Sequence, residues 1–243
     1  MSIKYDPKPN VPVPSAIGDI LYSDMTVSSD IESGKTPIAI CVGLPESYED
    51  GKARYMSLVN MSATDPENGT TATGNDTINN PGAGFCWGGK GIEVPGITCY
   101  TSSTAVLEDK DGKVNTTILW GLATNGKTGT IDKGAFTSAD YPAAVACHRF
   151  YTQGTQAGDW YLPAAGELQP ILPNLNTINT KLGSLGVAVG DNSTYETLGS
   201  WLWSSSQKSS SNAWYLYTYK GSVNDRNKNT AGGGSRVRAF FQL

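Results

Sequence analysis

At 243 residues, with 38% apolar and 16% charged residues, the chain can bury a substantial core in one large domain or two small ones. Its 28 glycines, six tryptophans and twelve tyrosines favour a loop-rich, β-containing globular protein and argue against a disordered chain or a helical bundle. The net charge of −4, with no basic block, argues against nucleic acid as a partner.

The N-terminal segment is rich in proline. Pro7, Pro9, Pro12 and Pro14 favour an extended, polyproline-like conformation. We interpret residues 1–15 as a Pro-rich arm or linker, with a frayed tail as the alternative. The segment has no apolar core of the roughly 7–15 residues typical of a secretory signal. No run approaches the roughly 20 apolar residues of a membrane helix, so we predict no membrane insertion and either a cytoplasmic location or a signal-free route such as assembly into a virion.

Residues 16–114 carry short β signals separated by loops. The compact apolar run at residues 37–42 is typical of a buried strand, and residues 53–61 alternate as another strand. The long polar stretch at residues 62–84 predicts a surface loop. We therefore interpret residues 16–114 as a β-rich, loop-rich support module.

Residues 115–243 begin with a further predicted strand, Thr116–Trp120, and a tight turn at Asn125-Gly126. A helix is predicted at residues 139–152, and Pro163 opens a second helix that should be short or kinked. A third helical pattern covers residues 174–187, with Gly183 expected to help end it.

The last forty residues are predicted to be strands. They follow a turn at Asp191-Asn192 and cover residues 201–205, 213–219, 222–224 and 235–241. Strands first, helices next and then a run of short antiparallel strands predict an α+β fold.

Catalytic patterns are scarce. The one histidine, His148, lies in a predicted helix, where a packed or capping role is commoner than a catalytic one. Its neighbour Cys147 cannot face it on a helix, so a Cys–His dyad is not expected. The sequence contains no GxSxG nucleophile elbow and no P-loop. We therefore predict that the chain is not an enzyme.

Metal-binding patterns are also scarce. The acidic segment Asp109–Gly112 lacks the ligand loop of a calcium site. The cysteines, Cys41, Cys86, Cys99 and Cys147, match no zinc spacing. Cys86 and Cys99 could pair across a Gly-rich loop or stay as buried thiols. We predict no cofactor and no metal.

The segment from Trp214 to Tyr219 contains alternating aromatic residues. In a strand, Trp214 and Leu216 point to one face and Tyr215, Tyr217 and Tyr219 to the other. Three tyrosines on one face can belong to a core. However, the opposite face already supplies the Trp and Leu expected inside, and a polar stretch follows. Tyrosine mixed with Ser, Gly, Asn and Arg is typical of antibody paratopes, so we predict a recognition surface.

Two motifs carry a resemblance to a known family. Asp159–Pro163 followed by Gly166–Leu168 resembles the "WRLPT..EL" signature of bacterial C-type-lectin-like domains, a broad group that includes the formylglycine-generating enzyme fold. Trp203–Ser206, Asn212–Trp214 and Arg236–Phe240 resemble the end of that domain in variable proteins of diversity-generating retroelements.

The resemblance covers about residues 115–243. It implies a C-type-lectin-like fold, with two helices plus short antiparallel strands, that forms a ligand-binding domain with a variable segment at residues 201–240. Residues 18–24 and 35–42 in turn resemble surface or phage-fibre proteins of gut Bacteroidales and their phages.

The resemblance also implies which residues bind the ligand. In such variable proteins, adenine-directed mutagenesis rewrites AAC-type codons, which can yield Tyr, Ser, Asp, Arg, Thr, Ala, Gly or Asn but never Trp, Gln, Lys, Glu or Met. The predicted ligand-binding residues are Ser209, Ser211, Tyr215, Tyr217, Tyr219, Ser222, Asp225, Arg226, Asn227, Thr230 and Ser235. Further positions of allowed type are Ala231, Gly232 and Gly233. The types that this mutagenesis cannot produce, and that would therefore be fixed, occur at Gln207, Lys208, Trp214, Lys220 and Lys228.

The sequence departs from other members of the broad group in two ways. It has no EPN- or WND-type motif of animal lectins, so calcium-dependent sugar binding is not implied. No cysteine follows Cys147, so the paired active-site cysteines of formylglycine-generating enzymes are missing.

These observations predict a non-enzymatic protein that binds a protein or glycan receptor on a host-cell surface. The most concrete form is the tip of a phage tail fibre in the virion, an arrangement that admits a homotrimer. One alternative is a bacterial cell-surface adhesin of the same fold, with its leader removed. Another is a catalytic relative of the formylglycine-generating enzyme fold.

Overall fold

The computed structural model describes residues 12–61, 85–123, 141–188, 198, 201–230 and 235–243. Several of the predictions above lie outside the described residues, namely those for residues 1–11, the loop at 62–84, the turns at Asn125-Gly126 and Asp191-Asn192, Ala231, Gly232, Gly233 and the side chain of Ser235. No helix in the described ranges is both long and apolar enough to cross a membrane.

The described residues form strands and helices in a mixed order. In chain order these elements are β1 (Ile20–Tyr22), β2 (Val27–Ser28), β3 (Pro37–Gly43), β4 (Arg54–Ser57), α1 (Gly112–Leu122), α2 (Pro142–Arg149), α3 (Ala165–Leu168), α4 (Leu175–Ala188), β5 (Trp201–Gln207), β6 (Asn212–Tyr217), β7 (Ser222–Asn227), β8 (Ser235–Arg236) and β9 (Phe240–Gln242). The α+β class predicted from the sequence is confirmed.

The first sheet is antiparallel and has the strand order β2-β1-β3-β4-β9. Strands β3 and β4 confirm the two strands predicted in this part of the chain. The partner of β4 comes from the far end of the sequence, because Met56 pairs with Phe240 and Tyr55 with Phe241. The C-terminus therefore completes a sheet that begins in the first sixty residues.

The strand predicted at Thr116–Trp120 is wrong, because these residues lie inside helix α1. The buried side chains of α1 include Asn115, Thr116 and Leu119, a spacing that follows one helical face. The Thr116 hydroxyl accepts a hydrogen bond from Leu162 N at 2.9 Å and donates one to Leu162 O at 3.1 Å. Packing and these bonds outweigh the strand preference of the run of β-branched residues.

The other helices agree with the prediction more closely. Helix α2 lies within residues 139–152, and α3 is short and continues as a 3₁₀ turn at Gln169–Ile171. Helix α4 does not end at Gly183, since it continues to Ala188. Gly183 faces open space, and Leu182 and Leu185 on either side of it are fully buried. That burial outweighs the helical cost of about 1 kcal/mol that an interior glycine carries.

The second sheet has the strand order β7-β6-β5-β8 and is antiparallel except for the parallel pair β5–β8. Strands β5 and β7 extend to Gln207 and Asn227, beyond their predicted ends. Strand β6 ends at Tyr217, because Thr218–Lys220 form a 3₁₀ turn that Gly221 closes at φ 59°. The single strand predicted at 235–241 is also wrong, since β8 and β9 belong to different sheets.

Both sheets pack with helices into shared apolar clusters. One cluster of buried side chains includes Leu21, Trp87, Ala144, Trp203 and Val237, and a second cluster also joins both sheets and contains helix α4. The predicted boundary between residues 114 and 115 falls inside α1. The segments on either side of that boundary therefore share a helix, a sheet and a core.

The Asp159–Pro163 and Gly166–Leu168 motifs lie where this core meets β9. Tyr161 forms a bridge with Phe240, and a Cβ at Gly166 would collide with the carbonyl of Leu107. The buried Glu167 carboxylate accepts hydrogen bonds from Ala164 N (2.9 Å), the Tyr161 hydroxyl (2.9 Å) and Arg54 Nε (2.7 Å). Burial raises the pKa of Glu167, and these three donors oppose that effect. The motif residues therefore hold the fold together and are not displayed.

Candidate binding surface

Strand β6 separates its side chains as the alternation predicts. Trp214 and Leu216 are buried, whereas Tyr215 and Tyr217 are half-buried on the other face of the strand. Tyr219 follows in the 3₁₀ turn and is 75% exposed. The tyrosines are therefore neither fully buried nor all free in solvent.

The strand register shows which neighbours share the face of Tyr215 and Tyr217. Directly opposite residues of adjacent strands project to the same side of a sheet. On β5 the partners of Tyr217 and Tyr215 are Trp201 and Trp203. On β7, Ser222 and Asn224 pair with the same two tyrosines, and Arg226 pairs with Ala213. We call the open part of this surface the tyrosine face, which consists of Trp201, Tyr215, Tyr217, Ser222, Asn224 and Arg226, with Tyr219 and Lys220 at its end.

One end of this sheet surface is covered. Trp203 and Ala213 are buried, and Trp203 Nε1 donates to Phe85 O at 2.9 Å. Trp87 Nε1 in turn donates to Ser204 O at 2.8 Å. The segment that begins at Phe85 therefore closes the core at this end and leaves Trp201 and Tyr217 at the open end.

The aromatic rings of the tyrosine face contact one another in a continuous cluster. Trp201 lies 5.7 Å from Tyr215 and 5.5 Å from Tyr217, between ring centroids. Tyr217 lies 6.2 Å from Tyr219 in an edge-to-face arrangement, and Tyr215 lies 6.0 Å from the buried Trp203. Such pairs contribute about 1 kcal/mol each beyond the area that they bury. The cluster is therefore anchored to the core and held in a defined conformation.

Two cations lie on these rings. The Arg226 guanidinium carbon is 3.9 Å from the centroid of Trp201, and Lys220 Nζ is 5.5 Å from that of Tyr217. Arg226 Nη1 is buried and has no hydrogen-bond acceptor among the described residues. Partial burial lowers the pKa of Arg226, because the charged form loses solvation. Neither cation is paired with a carboxylate in the described part of the chain.

Asp225, one of the predicted ligand-binding residues, does not lie on the same face as Tyr215, Tyr217 and Arg226. It pairs with Trp214 in the register and therefore lies on the opposite face. There its carboxylate accepts hydrogen bonds from Lys208 Nζ at 2.6 Å and Asn212 Nδ2 at 2.7 Å. Burial raises the pKa of Asp225, but these two bonds outweigh that effect and hold it below its usual value.

The remaining predicted residues lie at strand ends. Ser209 Oγ accepts from the backbone N–H groups of Ser211 and Asn212, and Asn227 accepts from Asn229 N and Thr230 N. Ser235 lies in β8, where its Cα pairs with Trp201. The structure thus brings together Tyr215, Tyr217, Tyr219, Ser222 and Arg226. It places elsewhere the predicted residues Ser209, Ser211, Asp225, Asn227 and Thr230.

Trp201, Asn224 and Lys220 belong to the tyrosine face and were absent from the predicted set. Lys220 was set aside because adenine-directed mutagenesis cannot produce lysine. The position of Trp201 and Asn224 beside the tyrosines follows from the strand register, which the sequence does not provide. The Trp-x-Trp spacing at Trp201 and Trp203 was the available signal, since both side chains then share one face.

The residues considered for catalysis have structural contacts. His148 stacks on Trp120 with ring centroids 4.3 Å apart. Cys147 is fully buried, and burial raises the pKa of its thiol well above the usual value. Asp109 accepts hydrogen bonds from Ser206 Oγ (2.6 Å) and Asn115 Nδ2 (3.1 Å).

The cysteines and acidic residues form no evident metal site in the described ranges. No group of three or more His, Cys, Asp or Glu residues is arranged there to hold a metal ion. Cys86 and Cys99 are free thiols, as are Cys41 and Cys147, so the alternative of a disulfide between Cys86 and Cys99 is not seen.

Comparison with known proteins gives one informative similarity. No protein-family model matches the sequence, and no curated protein matches it. Among solved structures, the chain is similar to a fimbrial protein from Bacteroides ovatus, with a TM-score of 0.51 and 15% identity. The match covers 93% of this chain and 48% of the other, so the chain spans about half the length of that protein. At this identity the similarity indicates a shared fold and nothing about activity.

Proposed function

We propose that this chain is a non-enzymatic binding protein of the adhesin class that acts at a bacterial cell surface. In this proposal, the tyrosine face holds a protein or glycan receptor. The observation that carries the proposal is the cluster of Trp201, Tyr215, Tyr217 and Tyr219, on which lie two cations that pair with no carboxylate of the described residues. The opposite face of strand β6 is core. The fimbrial fold neighbour supports the assignment to a cell surface.

The composition of the tyrosine face suits recognition. Tyrosine and tryptophan supply large contact areas with few rotatable bonds, and Ser222 and Asn224 supply adaptable hydrogen bonds. Because the rings already contact one another, little side-chain entropy remains to be lost when a ligand binds.

A finer proposal is that the scaffold is C-type-lectin-like and that its surface is diversified by a retroelement. Of the five positions whose residue types adenine-directed mutagenesis cannot produce, Gln207, Trp214 and Lys228 are buried, whereas Lys208 is partly exposed and Lys220 is exposed. Tyr217, Tyr219 and Ser222, which are of allowed types, are at least partly exposed. The burial of three of the five fixed positions supports the finer proposal. As a second candidate function, the chain forms the tip of a phage tail fibre as a homotrimer.

The proposed function is tested by replacing two tyrosines that contribute only modestly to the stability of the fold. The double variant Tyr217→Ala/Tyr219→Ala should bind host cells at least about tenfold more weakly, as expected for aromatic hot spots. Tyr219 is mostly exposed and Tyr217 half-buried, so we expect the free energy of unfolding to fall by about 2 kcal/mol, mainly through the lost ring contacts of Tyr217 with Trp201, Tyr215 and Tyr219. Binding is measured by flow cytometry with labelled protein, and stability by urea denaturation.

The matched control is Tyr151→Ala, which removes a half-buried tyrosine outside this face. It should keep wild-type binding. Unchanged binding by the double variant would refute the proposed site. A loss of several kcal/mol in stability would instead assign the tyrosines to the core.

The retroelement proposal is tested on genomic DNA. We expect a near-copy of the coding sequence for residues 201–240 that differs only at adenines and lies beside a reverse-transcriptase gene. If sequencing of the flanking DNA finds no such copy, the chain is an ordinary binding module with a fixed surface.

A further inference from the structure

The tyrosine face is positively charged, although the whole chain carries a net charge of −4. Arg226 and Lys220 lie on its rings, and no carboxylate of the described residues pairs with either. The nearest acidic residue in the strand, Asp225, lies on the opposite face and is neutralised there by Lys208 at 2.6 Å. Charge complementarity therefore favours an anionic ligand on this face.

The environment of Arg226 strengthens this preference. Its guanidinium lies over Trp201, and Nη1 is out of contact with water and has no acceptor among the residues that the structure describes. A partly desolvated guanidinium has already lost part of its solvation in the free protein. An incoming anion therefore gains more from pairing with it than from pairing with a fully hydrated cation. The planar fork of N–H donors matches a carboxylate better than it matches a spherical ion.

The rings around Arg226 match the other half of such a ligand. Trp201 and Tyr217 present aromatic surface with a negative face, which attracts the weakly positive C–H bonds of a sugar ring. Asn224 and Ser222 lie beside them and already share a hydrogen bond of 2.8 Å, so both can exchange hydrogen bonds with hydroxyl groups. Leu202, Leu216 and Val223 lie in the register positions of the opposite face, so the open part of the tyrosine face has no aliphatic patch.

We propose that the tyrosine face binds an acidic glycan, with a sugar carboxylate at Arg226 and sugar rings on Trp201 and Tyr217. This inference rests on the proposed function and names the ligand class for the same site. A typical protein partner needs about 20–30 contact residues a side. The open, described part of the tyrosine face is far smaller, which suits a few sugar units better than a protein surface.

The test compares three soluble probes by isothermal titration calorimetry. They are an oligosaccharide of galacturonic acid, a neutral glucose oligosaccharide of the same length and an oligoglutamate peptide. The wild-type protein should bind the galacturonate at least about tenfold more tightly than the glucose oligosaccharide, because only the galacturonate can form a charge-assisted hydrogen bond with Arg226. It should also bind the galacturonate more tightly than the oligoglutamate, which has carboxylates but no sugar rings to pack on the aromatic residues. Its affinity should fall as salt is added.

Two variants test whether Arg226 causes the preference for galacturonate. Arg226→Gln should remove most of the preference for galacturonate over glucose. Lys208→Gln removes a cation of the opposite face, which is already paired with Asp225, and should keep the preference. Thermal unfolding of both variants verifies that they are folded. If Arg226→Gln destabilises the protein, Lys220→Gln on the exposed turn gives a second measurement of how a positive charge on this face affects the preference for galacturonate.

The outcomes separate this inference from the function on which it rests. Equal affinity for galacturonate and glucose, or an unchanged preference in Arg226→Gln and Lys220→Gln, would overturn the acidic-glycan inference. Preferred binding of oligoglutamate would replace it with an acidic protein ligand. In each case the proposed function stands if host-cell binding still depends on Tyr217 and Tyr219. Loss of that dependence would overturn both.

Discussion

At the scale of single residues, the two faces of strand β6 differ in burial, with Trp214 and Leu216 in the core and Tyr215 and Tyr217 on the tyrosine face. The sequence shows this alternation directly, and the structure confirms it by burying Trp214 and Leu216. Trp203 lies on the same face of the sheet as Tyr215, because the two residues are partners in the register. Residue type alone could not decide this.

Lys228 is another residue whose burial could not be inferred from its type, and it leads to a prediction about how stability depends on pH. It follows β7 in a polar stretch, yet it is fully buried, 4.4 Å from the ring of Trp87, and donates to Ile92 O at 2.8 Å and Gln207 Oε1 at 3.1 Å. Burial lowers the pKa of Lys228 to about 8. The unfolded chain therefore binds this proton more tightly than the folded protein does. Stability should rise with pH from about 8 towards the unfolded pKa of about 10.4.

The contribution of Lys228 is isolated by comparison with Lys228→Met. Burial raises the pKa of Cys41, Tyr48 and Tyr55, and these groups lower stability at high pH in both proteins. We expect the difference in unfolding free energy, wild type minus variant, to grow by about 2 kcal/mol between roughly pH 7.5 and 10. Urea denaturation across this range measures it. A difference that stays constant would show that Lys228 titrates normally.

At the scale of secondary-structure elements, helix α1 is the clearest departure from the prediction. Local preference favoured a strand at Thr116–Trp120, whereas the helical conformation buries Thr116 against the backbone of Leu162. The two hydrogen bonds join elements that are 46 residues apart. No local pattern could have revealed them.

Thr116 allows this interpretation to be tested. Thr116→Val keeps the shape of the side chain but leaves Leu162 N–H and C=O without their partner, so we expect a loss of about 2 kcal/mol. Thr116→Ser keeps the hydroxyl and loses one methyl group, which should cost about 1 kcal/mol. Chemical denaturation gives both values. If the valine variant is the more stable of the two, the hydrogen bonds do not hold α1 in place.

At the scale of the whole molecule, the two ends of the chain meet in one sheet. Strand β4 lies between β3 and β9, so a strand from the second half of the sequence joins the sheet formed by the first half. The ion pair between Arg54 and Glu167 joins the same two parts at 2.7 Å and is buried on both sides. The division into residues 16–114 and 115–243 stays a prediction about sequence segments, and the structure adds that they share one core.

A truncation tests whether the C-terminal segment can fold alone. The fragment 112–243 retains helix α1 but lacks β4, so β9 has no partner and Glu167 has no cation. We expect it to show no cooperative thermal transition, whereas the full chain should unfold in a single transition. Co-expression with residues 1–111 should restore the transition. An independently folded fragment would establish residues 115–243 as a domain.

The sequence by itself determined the α+β class, the buried strand β3, the positions of helices α2, α3 and α4 and the tyrosine alternation. Each of these depends on patterns within about ten residues, where side-chain periodicity reflects burial directly. The tertiary structure alone decided the pairing of β4 with β9, the helical state of α1 and the meeting of Trp201, Tyr217 and Arg226 on one open face. These features depend on strand register and on contacts between distant segments, and neither leaves a local pattern in the chain.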